Sequence, residues 1–253
     1  MDSRSLSQVR IVLVEPAGPL NVGSVARIMK NMGLTQLVLV NPQCDPLSAD
    51  ARQMAVHAPE ILTSARMVAS LPEALQDCQK VVATAARPID LPTDFETPER
   101  LIPWMLDTNS ALVFGREDRG LSNDELNLAQ RFLRIPSHPV YPSLNLAQSV
   151  AICCYELYRY IREPSHSREP AAPIPSNSSE LASRDAIEGY YDRLESLLLD
   201  IGYLHPHTAR RRMEKLRRLY NRAYPSSEEV AMLQGIVSQV KWAIANSGKE
   251  ESQ

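Results

Sequence analysis

The chain has 253 residues, enough for one large domain or two smaller ones, and its 44% hydrophobic and 23% charged residues are typical of a soluble globular protein. A formal net charge of −3 excludes a uniformly basic nucleic-acid-binding protein, so any RNA- or DNA-binding surface must be local. The first eight residues are polar, and no segment is apolar over the length of a membrane span. We therefore expect a cytoplasmic protein with no signal peptide and no membrane contact.

Apolar runs alternate with helix-length segments through the first two thirds of the chain. Val9–Val14, with the sequence V-R-I-V-L-V, is typical of a buried strand. Asn21 is predicted to cap a helix that runs to about Met32 and ends at Gly33. The other predicted strands are Leu37–Val40, Val81–Ala85, Ala111–Phe114 and Phe132–Ile135, and the other predicted helices are Ala49–Val56, Pro72–Asp77 and Leu144–Ile161. The alternation predicts an α/β domain with a mainly parallel sheet.

No metal site is predicted from the cysteines and histidines. Cys44, Cys78, Cys153 and Cys154 form no C-x-x-C pair, and no cysteine near the histidines completes a zinc spacing. We expect buried free thiols in a reducing compartment.

The composition changes after Arg162. Residues 163–180 are rich in proline and serine, which predicts an extended linker that cannot bury apolar area. Residues 181–246 have only helical patterns, and 247–253 form a polar tail. The predicted domains are therefore 1–162, an α/β domain, and 181–246, a small helical domain.

Basic residues are concentrated in the helical segment, where residues 203–225 contain seven basic side chains and one acidic side chain. Four of the basic residues recur at helical spacing on one face: Arg211, Lys215, Arg218 and Arg222. Another stripe is predicted to face the core: Met213, Leu216, Tyr220 and Ala223. A charged helix face can simply be solvated, but this density of unbalanced charge favours a phosphate-binding surface.

The first motif that could carry chemistry is N-V-G-S-V-A-R, from Asn21 to Arg27, directly after the first strand. Gly23 permits a close backbone approach, and Asn21 and Ser24 are small hydrogen-bonding groups. Taken alone, the motif could equally be a capped helix with a surface arginine.

Two further motifs follow predicted strands. The charged loop G-R-E-D-R-G spans Gly115–Gly120, and ligands of parallel α/β domains bind where strands end. The segment Y-P-S-L-N-L-A at Tyr141–Ala147 places Ser143 and Asn145 at the start of the long helix, as caps or as ligand-binding groups. No G-x-G spacing and no P-loop occur, which disfavours a nicotinamide dehydrogenase.

In this order, the three motifs resemble those of the SPOUT superfamily, in its TrmH-like branch of RNA ribose 2'-O-methyltransferases. The resemblance extends over Val9–Ile161. It implies an α/β domain with a deep trefoil knot, S-adenosylmethionine as the methyl donor, and a homodimer whose active site lies at the subunit interface.

The C-terminal segment is similar to the helical extension of those members of this branch that methylate cytidine or uridine at position 32 of tRNA, in the anticodon loop. The similar stretches are L-L-L-D-I-G-Y-L at Leu197–Leu204, R-R-M-E-K-L-R-R-L-Y-N-R-A at Arg211–Ala223 and E-V-A-M-L-Q-G-I at Glu229–Ile236. The resemblance implies tRNA as the partner. The alternatives are another RNA position, either the wobble nucleotide or ribosomal RNA, and a catalytically inactive tRNA-binding protein.

The resemblance also implies roles for individual residues. The implied cofactor contacts are Thr84, Ala85, Ala86, Gly115, Ile135, Pro142, Ser143, Leu144 and Asn145. Relatives often have serine at position 142, and because proline lacks the serine hydroxyl, only the backbone of Pro142 is expected to contribute. The implied catalytic residues are Arg27, Ser143, Glu117 and Asn21. The implied RNA contacts are Arg27, Arg211, Arg212, Lys215, Arg218 and Arg222. Because arginine stays protonated in proteins, Arg27 is expected to bind phosphate and stabilise the developing alkoxide rather than act as a base.

Overall fold

The structure is a computed structural model that describes residues 4–85, 95–162 and 181–250. The chain divides into two compact units, Met1–Ile174 and Pro175–Gln253. Three predicted features lie outside the described residues: the cofactor contact at Ala86, the linker at 163–180 and the end of the polar tail at 251–253.

A parallel sheet forms the centre of the first unit. The strands are β1 (Val9–Val14), β2 (Gln36–Val40), β3 (Arg66–Val68), β4 (Lys80–Thr84), β5 (Phe95–Glu96), β6 (Ser110–Phe114) and β7 (Arg131–Leu133). Their order is β3-β2-β1-β6-β4-β7-β5, and every pairing is parallel. The predicted α/β fold with a parallel sheet is confirmed.

The apolar runs became strands because the sheet buries both of their faces. Ile11, Val12 and Leu13 in β1 are completely buried, although their side chains alternate between faces. The edge strands β3 and β5 were not predicted. Two of the three residues of β3 are exposed, and β5 has only two residues, so neither strand has a readable apolar pattern.

Eight helices among the described residues belong to the first unit. They are α1 (Arg4–Ser7), α2 (Pro19–Asn31), α3 (Ala49–Ala55), α4 (Pro59–Thr63), α5 (Leu71–Ala74), α6 (Pro98–Met105), α7 (Asn123–Leu126) and α8 (Leu146–Arg162). Helices α1, α4, α6 and α7 were not predicted.

Helix α2 begins earlier than the sequence suggested. Its N-cap residue is Gly18 and Pro19 is its first residue, so the prediction that Asn21 caps the helix was wrong. Asn21 lies inside the first turn, where its side chain is available for contacts outside the helix. The helix ends as predicted, with Gly33 in a left-handed conformation at φ 76°.

Gly23 serves the packing of α2 on α3. A Cβ atom at Gly23 would lie 2.1 Å from the carbonyl oxygen of Ala51 and 2.9 Å from Cβ of Met54. The close backbone approach predicted for this glycine is therefore an approach between two helices.

Helix α8 begins at Leu146, because the side chain of Asn145 caps it. Asn145 Oδ1 accepts hydrogen bonds from the backbone amides of Ala147 (2.9 Å) and Gln148 (3.4 Å). The buried face of α8 contains two of the predicted buried thiols, Cys153 and Cys154. Cys78 is also buried, whereas Cys44 is only partly buried.

The second unit consists of α9 (Arg184–Asp200), α10 (Pro206–Ala223) and α11 (Ser227–Glu250). Helix α11 continues past the predicted helical end at residue 246. Met213 of α10 is buried in the core of this unit, but Ala223 is exposed, so the core position predicted for Ala223 was wrong. No helix in the described parts of either unit is both long enough and apolar enough to cross a membrane.

Candidate active site

A cavity of about 280 Å³ lies at the carboxyl edge of the sheet, where β4, β6 and β7 end. Seven of the nine predicted cofactor contacts line it: Thr84, Ala85, Gly115, Ile135, Pro142, Ser143 and Leu144. Asn145 does not line it, and Ala86 is not described. In a parallel α/β domain this edge is the usual place for a ligand.

The cavity wall combines apolar side chains with polar groups. Leu121, Leu133 and Leu144 are part of the lining, as is the exposed hydroxyl-bearing Ser143. Thr84 also lines the cavity, but its Oγ1 donates a hydrogen bond to the carbonyl oxygen of Val113 at 3.0 Å. Such a lining suits a ligand with both a flat apolar part and polar groups.

Gly115 permits the charged loop to close. A Cβ atom there would lie 2.2 Å from the carbonyl carbon of Gly120 and 2.4 Å from the amide nitrogen of Leu121. The loop is closed by the amide of Gly120, which donates to the carbonyl oxygen of Arg116 at 2.9 Å. Any side chain at position 115 would force this turn open.

Glu117 connects the charged loop to the start of α2. Its carboxylate accepts hydrogen bonds from the backbone amides of Ala17 and Gly18 (both 3.2 Å) and from Nδ2 of Asn21 (3.0 Å). Partial burial raises the pKa of Glu117, but these hydrogen bonds outweigh it, and the pKa is lowered from its ordinary value of 4.5. Glu117 is therefore ionised at neutral pH.

Asn21 joins the first and third motifs. Asn145 Nδ2 donates to Asn21 Oδ1 at 3.1 Å, and the amide group of Asn21 donates to Glu117. The result is one continuous hydrogen-bonded chain, Asn145–Asn21–Glu117, drawn from the three motifs. The structure thus brings together residues that lie 96 and 124 positions apart in the sequence.

Glu15 is part of the same region and was not predicted. It directly follows β1, and its carboxylate accepts hydrogen bonds from Arg116 (3.0 Å), Arg119 (2.8 Å) and Asn41 (3.1 Å). The contact with Arg116 is the largest of the effects that lower its pKa. An acidic residue directly after a buried strand was the signal that could have identified it.

Arg27 is exposed, six residues after Asn21 on α2, and its guanidinium forms no ion pair or hydrogen bond with any described residue. Lys30, the next basic residue of α2, is instead paired with Glu60 and bonded to the carbonyl oxygen of His57. Of these two cations, Arg27 is the one available to a ligand.

The basic face of α10 is largely free in the second unit. Arg211, Lys215 and Arg222 are exposed, and Arg218 is 3.7 Å from the carboxylate of Glu214. Arg212 is different, because its guanidinium donates to the carbonyl oxygen of Tyr203 at 2.8 Å and lies over the ring of that residue. Three of the five predicted RNA contacts on α10 are therefore exposed and have no ion pair, side-chain hydrogen bond or ring contact among the described residues.

Each of the two units matches a known protein family. The SpoU rRNA Methylase family matches residues 8–155, and the C-terminal domain of tRNA methyltransferase TrmJ matches residues 185–251. The first unit is a methyltransferase domain of the SpoU type, and the predicted enzyme class is confirmed.

Individual relatives extend over nearly the whole chain. The tRNA (cytidine/uridine/adenosine-2'-O-)-methyltransferase TrmJ of Pseudomonas aeruginosa is 40% identical over 244 residues, which is 93% of this chain and 95% of that protein. The tRNA (cytidine/uridine-2'-O-)-methyltransferase TrmJ of Pectobacterium atrosepticum is 40% identical over 240 residues, which is 93% of this chain and 98% of that protein. The crystal structure of TrmJ from Z. mobilis ZM4 matches with a TM-score of 0.80 at 29% identity, and the match covers 92% of this chain and 98% of that chain. The chain belongs to the TrmJ family.

Proposed function

We propose that this protein transfers a methyl group from S-adenosylmethionine to a ribose 2'-oxygen of tRNA, at position 32 in the anticodon loop. The single observation that carries the proposal is the hydrogen-bonded chain Asn145–Asn21–Glu117 beside the cavity, which assembles all three motifs of the SpoU-type domain at one place. The TrmJ relatives, whose names give tRNA 2'-O-methylation, match both units and support the choice of substrate.

The cavity fits S-adenosylmethionine in its chemistry. We assign the contacts to backbone groups at Ala85, Gly115, Ile135 and Leu144, at the ends of the strands and in the loop before α8, and the leucine side chains of the lining would supply apolar contact for the adenine. When bound, S-adenosylmethionine supplies a methyl group on a sulfonium, which is a good leaving group. The protein then has to align the 2'-oxygen with that methyl group and accommodate the hydroxyl proton.

Arg27 is assigned to the reacting nucleotide. Its exposed, unpaired guanidinium can bind the phosphate next to the target ribose in a bidentate manner and stabilise negative charge that develops on the 2'-oxygen. A phosphate bound there would accept the proton that the 2'-hydroxyl loses. Asn21 and Glu117 hold the first turn of the helix that carries Arg27, and Ser143 lies at the cavity mouth to orient the ribose.

The second unit is assigned to tRNA binding through the sugar-phosphate backbone. The exposed cations Arg211, Lys215 and Arg222 form one face of α10, a spacing that follows a run of phosphates without reading base sequence. The selection of position 32 then depends on the shape of the anticodon loop and on the SpoU-type unit.

A cytoplasmic homodimer with the trefoil knot of the SPOUT superfamily completes the proposal. Large apolar side chains are exposed near the start of α2, in the segment before α8 and on α8 itself: Leu20 is 52% exposed, Tyr141 79% and Tyr155 51%. Leu20 is adjacent to Asn21, which bonds to the residue that caps α8. Burial of this surface against a second copy would enclose the site and contribute hydrophobic free energy.

The test is methylation of unmodified tRNA by the purified protein with S-adenosylmethionine, followed by nuclease digestion and mass spectrometry. We expect a 2'-O-methyl group at position 32, lost in Arg27→Ala and retained in the control Lys30→Ala. Arg27→Lys should also be impaired because lysine cannot form the bidentate contact. A methyl group at the wobble nucleotide or in ribosomal RNA would overturn the target, and no methylation of any RNA would indicate an inactive binding protein.

A further inference from the structure

Two segments at the carboxyl edge of the sheet are held together because each one binds a carboxylate of the other. Segment 15–18, which links β1 to α2, offers the Glu15 carboxylate to Arg116 (3.0 Å) and Arg119 (2.8 Å) of the charged loop. The loop offers the Glu117 carboxylate to the amides of residues 17 and 18 and to Asn21. We call this set of contacts the clasp.

The clasp occurs where the backbone is strained. Glu15 has φ 47°, in the left-handed region that a glutamate adopts rarely, and Asn41 beside it has φ 43°. The strained backbone of Glu15 is held by its own amide, which donates to the carbonyl oxygen of Val40 at 2.8 Å. In this conformation both carboxylate oxygens of Glu15 are used, one by the two arginines and the other by Asn41.

In the clasp, the carboxylate of Glu15 lies between two positively charged arginines, so the position of each arginine depends on that carboxylate. Arg116 and Arg119 are close to one another because both contact the same oxygen of Glu15, and without that carboxylate their positive charges would repel. Both arginines also line the cofactor cavity. Loss of the negative charge at position 15 would therefore release Arg119 and leave Arg116 paired only with Asp118, at 3.0 Å. The loop around Glu117, which lies between the two arginines in the sequence, would be less firmly held.

We propose that Glu15 is a positioning residue for methyl transfer. It fixes the charged loop through Arg116 and Arg119, so that Glu117 holds the first turn of α2 and aligns Arg27 with the target ribose. The proposal rests on the proposed function. Glu15 does not itself line the cavity and forms no contact with Arg27, so it acts only through the two arginines of the loop.

The experiment compares Glu15→Gln with a matched control, Glu60→Gln. Glu60 also pairs with a cation of α2, Lys30, and its pKa is also lowered, chiefly by its hydrogen bond from Lys30, but it lies outside the clasp. For Glu15→Gln we expect kcat for tRNA methylation to fall roughly 10- to 100-fold, the scale of a misaligned reacting group. The KM for tRNA and the melting temperature should stay close to those of the wild type, and Glu60→Gln should leave kcat unchanged.

A second measurement does not depend on activity. Amide hydrogen exchange of the peptide 15–21 should be about fivefold faster in Glu15→Gln than in the wild type, the factor for loss of one hydrogen bond, and unchanged in Glu60→Gln. Arg119→Gln, which weakens the clasp from the more exposed side, should have the same effects in smaller degree. Failure of the wild type to methylate RNA would refute the proposed function while the exchange result remained readable. Unchanged exchange and unchanged kcat in Glu15→Gln, or a loss explained entirely by unfolding, would overturn the clasp.

Discussion

Substitution of Gly23 by alanine tests whether the first motif includes a packing requirement. The added Cβ would lie 2.1 Å from the carbonyl oxygen of Ala51, whereas ordinary contact begins at 3.4 Å. Helices α2 and α3 would have to separate by about 1.3 Å, and because the neighbour is backbone we expect a cost of about 3 kcal/mol, the upper end for overpacking. Alanine favours a helix by about 1 kcal/mol over glycine, so the net loss is about 2 kcal/mol.

The assay is thermal unfolding together with tRNA methylation. A net loss of this size should lower the melting temperature of the first unit by about 4–8 °C, and kcat should fall because α2 carries Arg27. The matched control is Gly235→Ala, a helical glycine with no atom within 4 Å of its Cβ position, which should gain stability by about 1 kcal/mol. If Gly23→Ala were as stable as the wild type, the reasoning about helix contact would be refuted.

Three further predictions follow from the site and the basic face. Glu117 has a lowered pKa in the folded protein, so its stabilising contacts are fully present above pH 4.5 and are lost as the pH falls through the folded pKa. In acid unfolding curves, the difference in stability between the wild type and Glu117→Gln should therefore disappear at low pH. Asn145→Asp replaces the donor that faces Oδ1 of Asn21 with an acceptor, so it should lower kcat more than Asn145→Ser does. If Asn145 served only as a helix cap, Asp and Ser would be equivalent there. Neutralising Arg211, Lys215 and Arg222 together should reduce the slope of log K for tRNA binding against log salt concentration by about 2–3. Isothermal titration should show unaltered S-adenosylmethionine binding. An unaltered slope would mean that this face does not bind tRNA.

The sheet was largely predictable from sequence because its central strands are continuous apolar runs buried on both sides. Val9–Val14 was predicted with its observed bounds, and the other predicted strands differ from the observed ones by two residues or fewer at either end. The edge strands β3 and β5 were missed because a short, half-exposed strand is defined by its neighbour rather than by its own residues. The start of α2 was misplaced because Asn21 has the chemistry of a cap, but its side chain contacts other motifs instead.

The site was predictable as a set of residues but not as an arrangement. Motif spacing indicated Asn21, Glu117 and Asn145 separately, and nothing in the sequence showed that they bond to one another. Glu15 escaped notice because its role depends on two arginines about a hundred positions away. Arg212 was grouped with the RNA contacts by its charge, whereas the structure shows its guanidinium engaged by Tyr203.

The position of β1 in the middle of the sheet has a consequence for the protein during its synthesis. On one side β1 pairs with β2, which follows soon after it, but on the other it pairs with β6, where Val9 is opposite Ser110. A ribosome that adds about 5–20 residues per second leaves that side of an apolar strand without its partner for roughly 5–20 s. An unpaired apolar strand edge invites association with other chains. The nascent chain is thus most vulnerable to aggregation in the interval before residue 114 has emerged, and a chaperone that covers β1 would protect it best then.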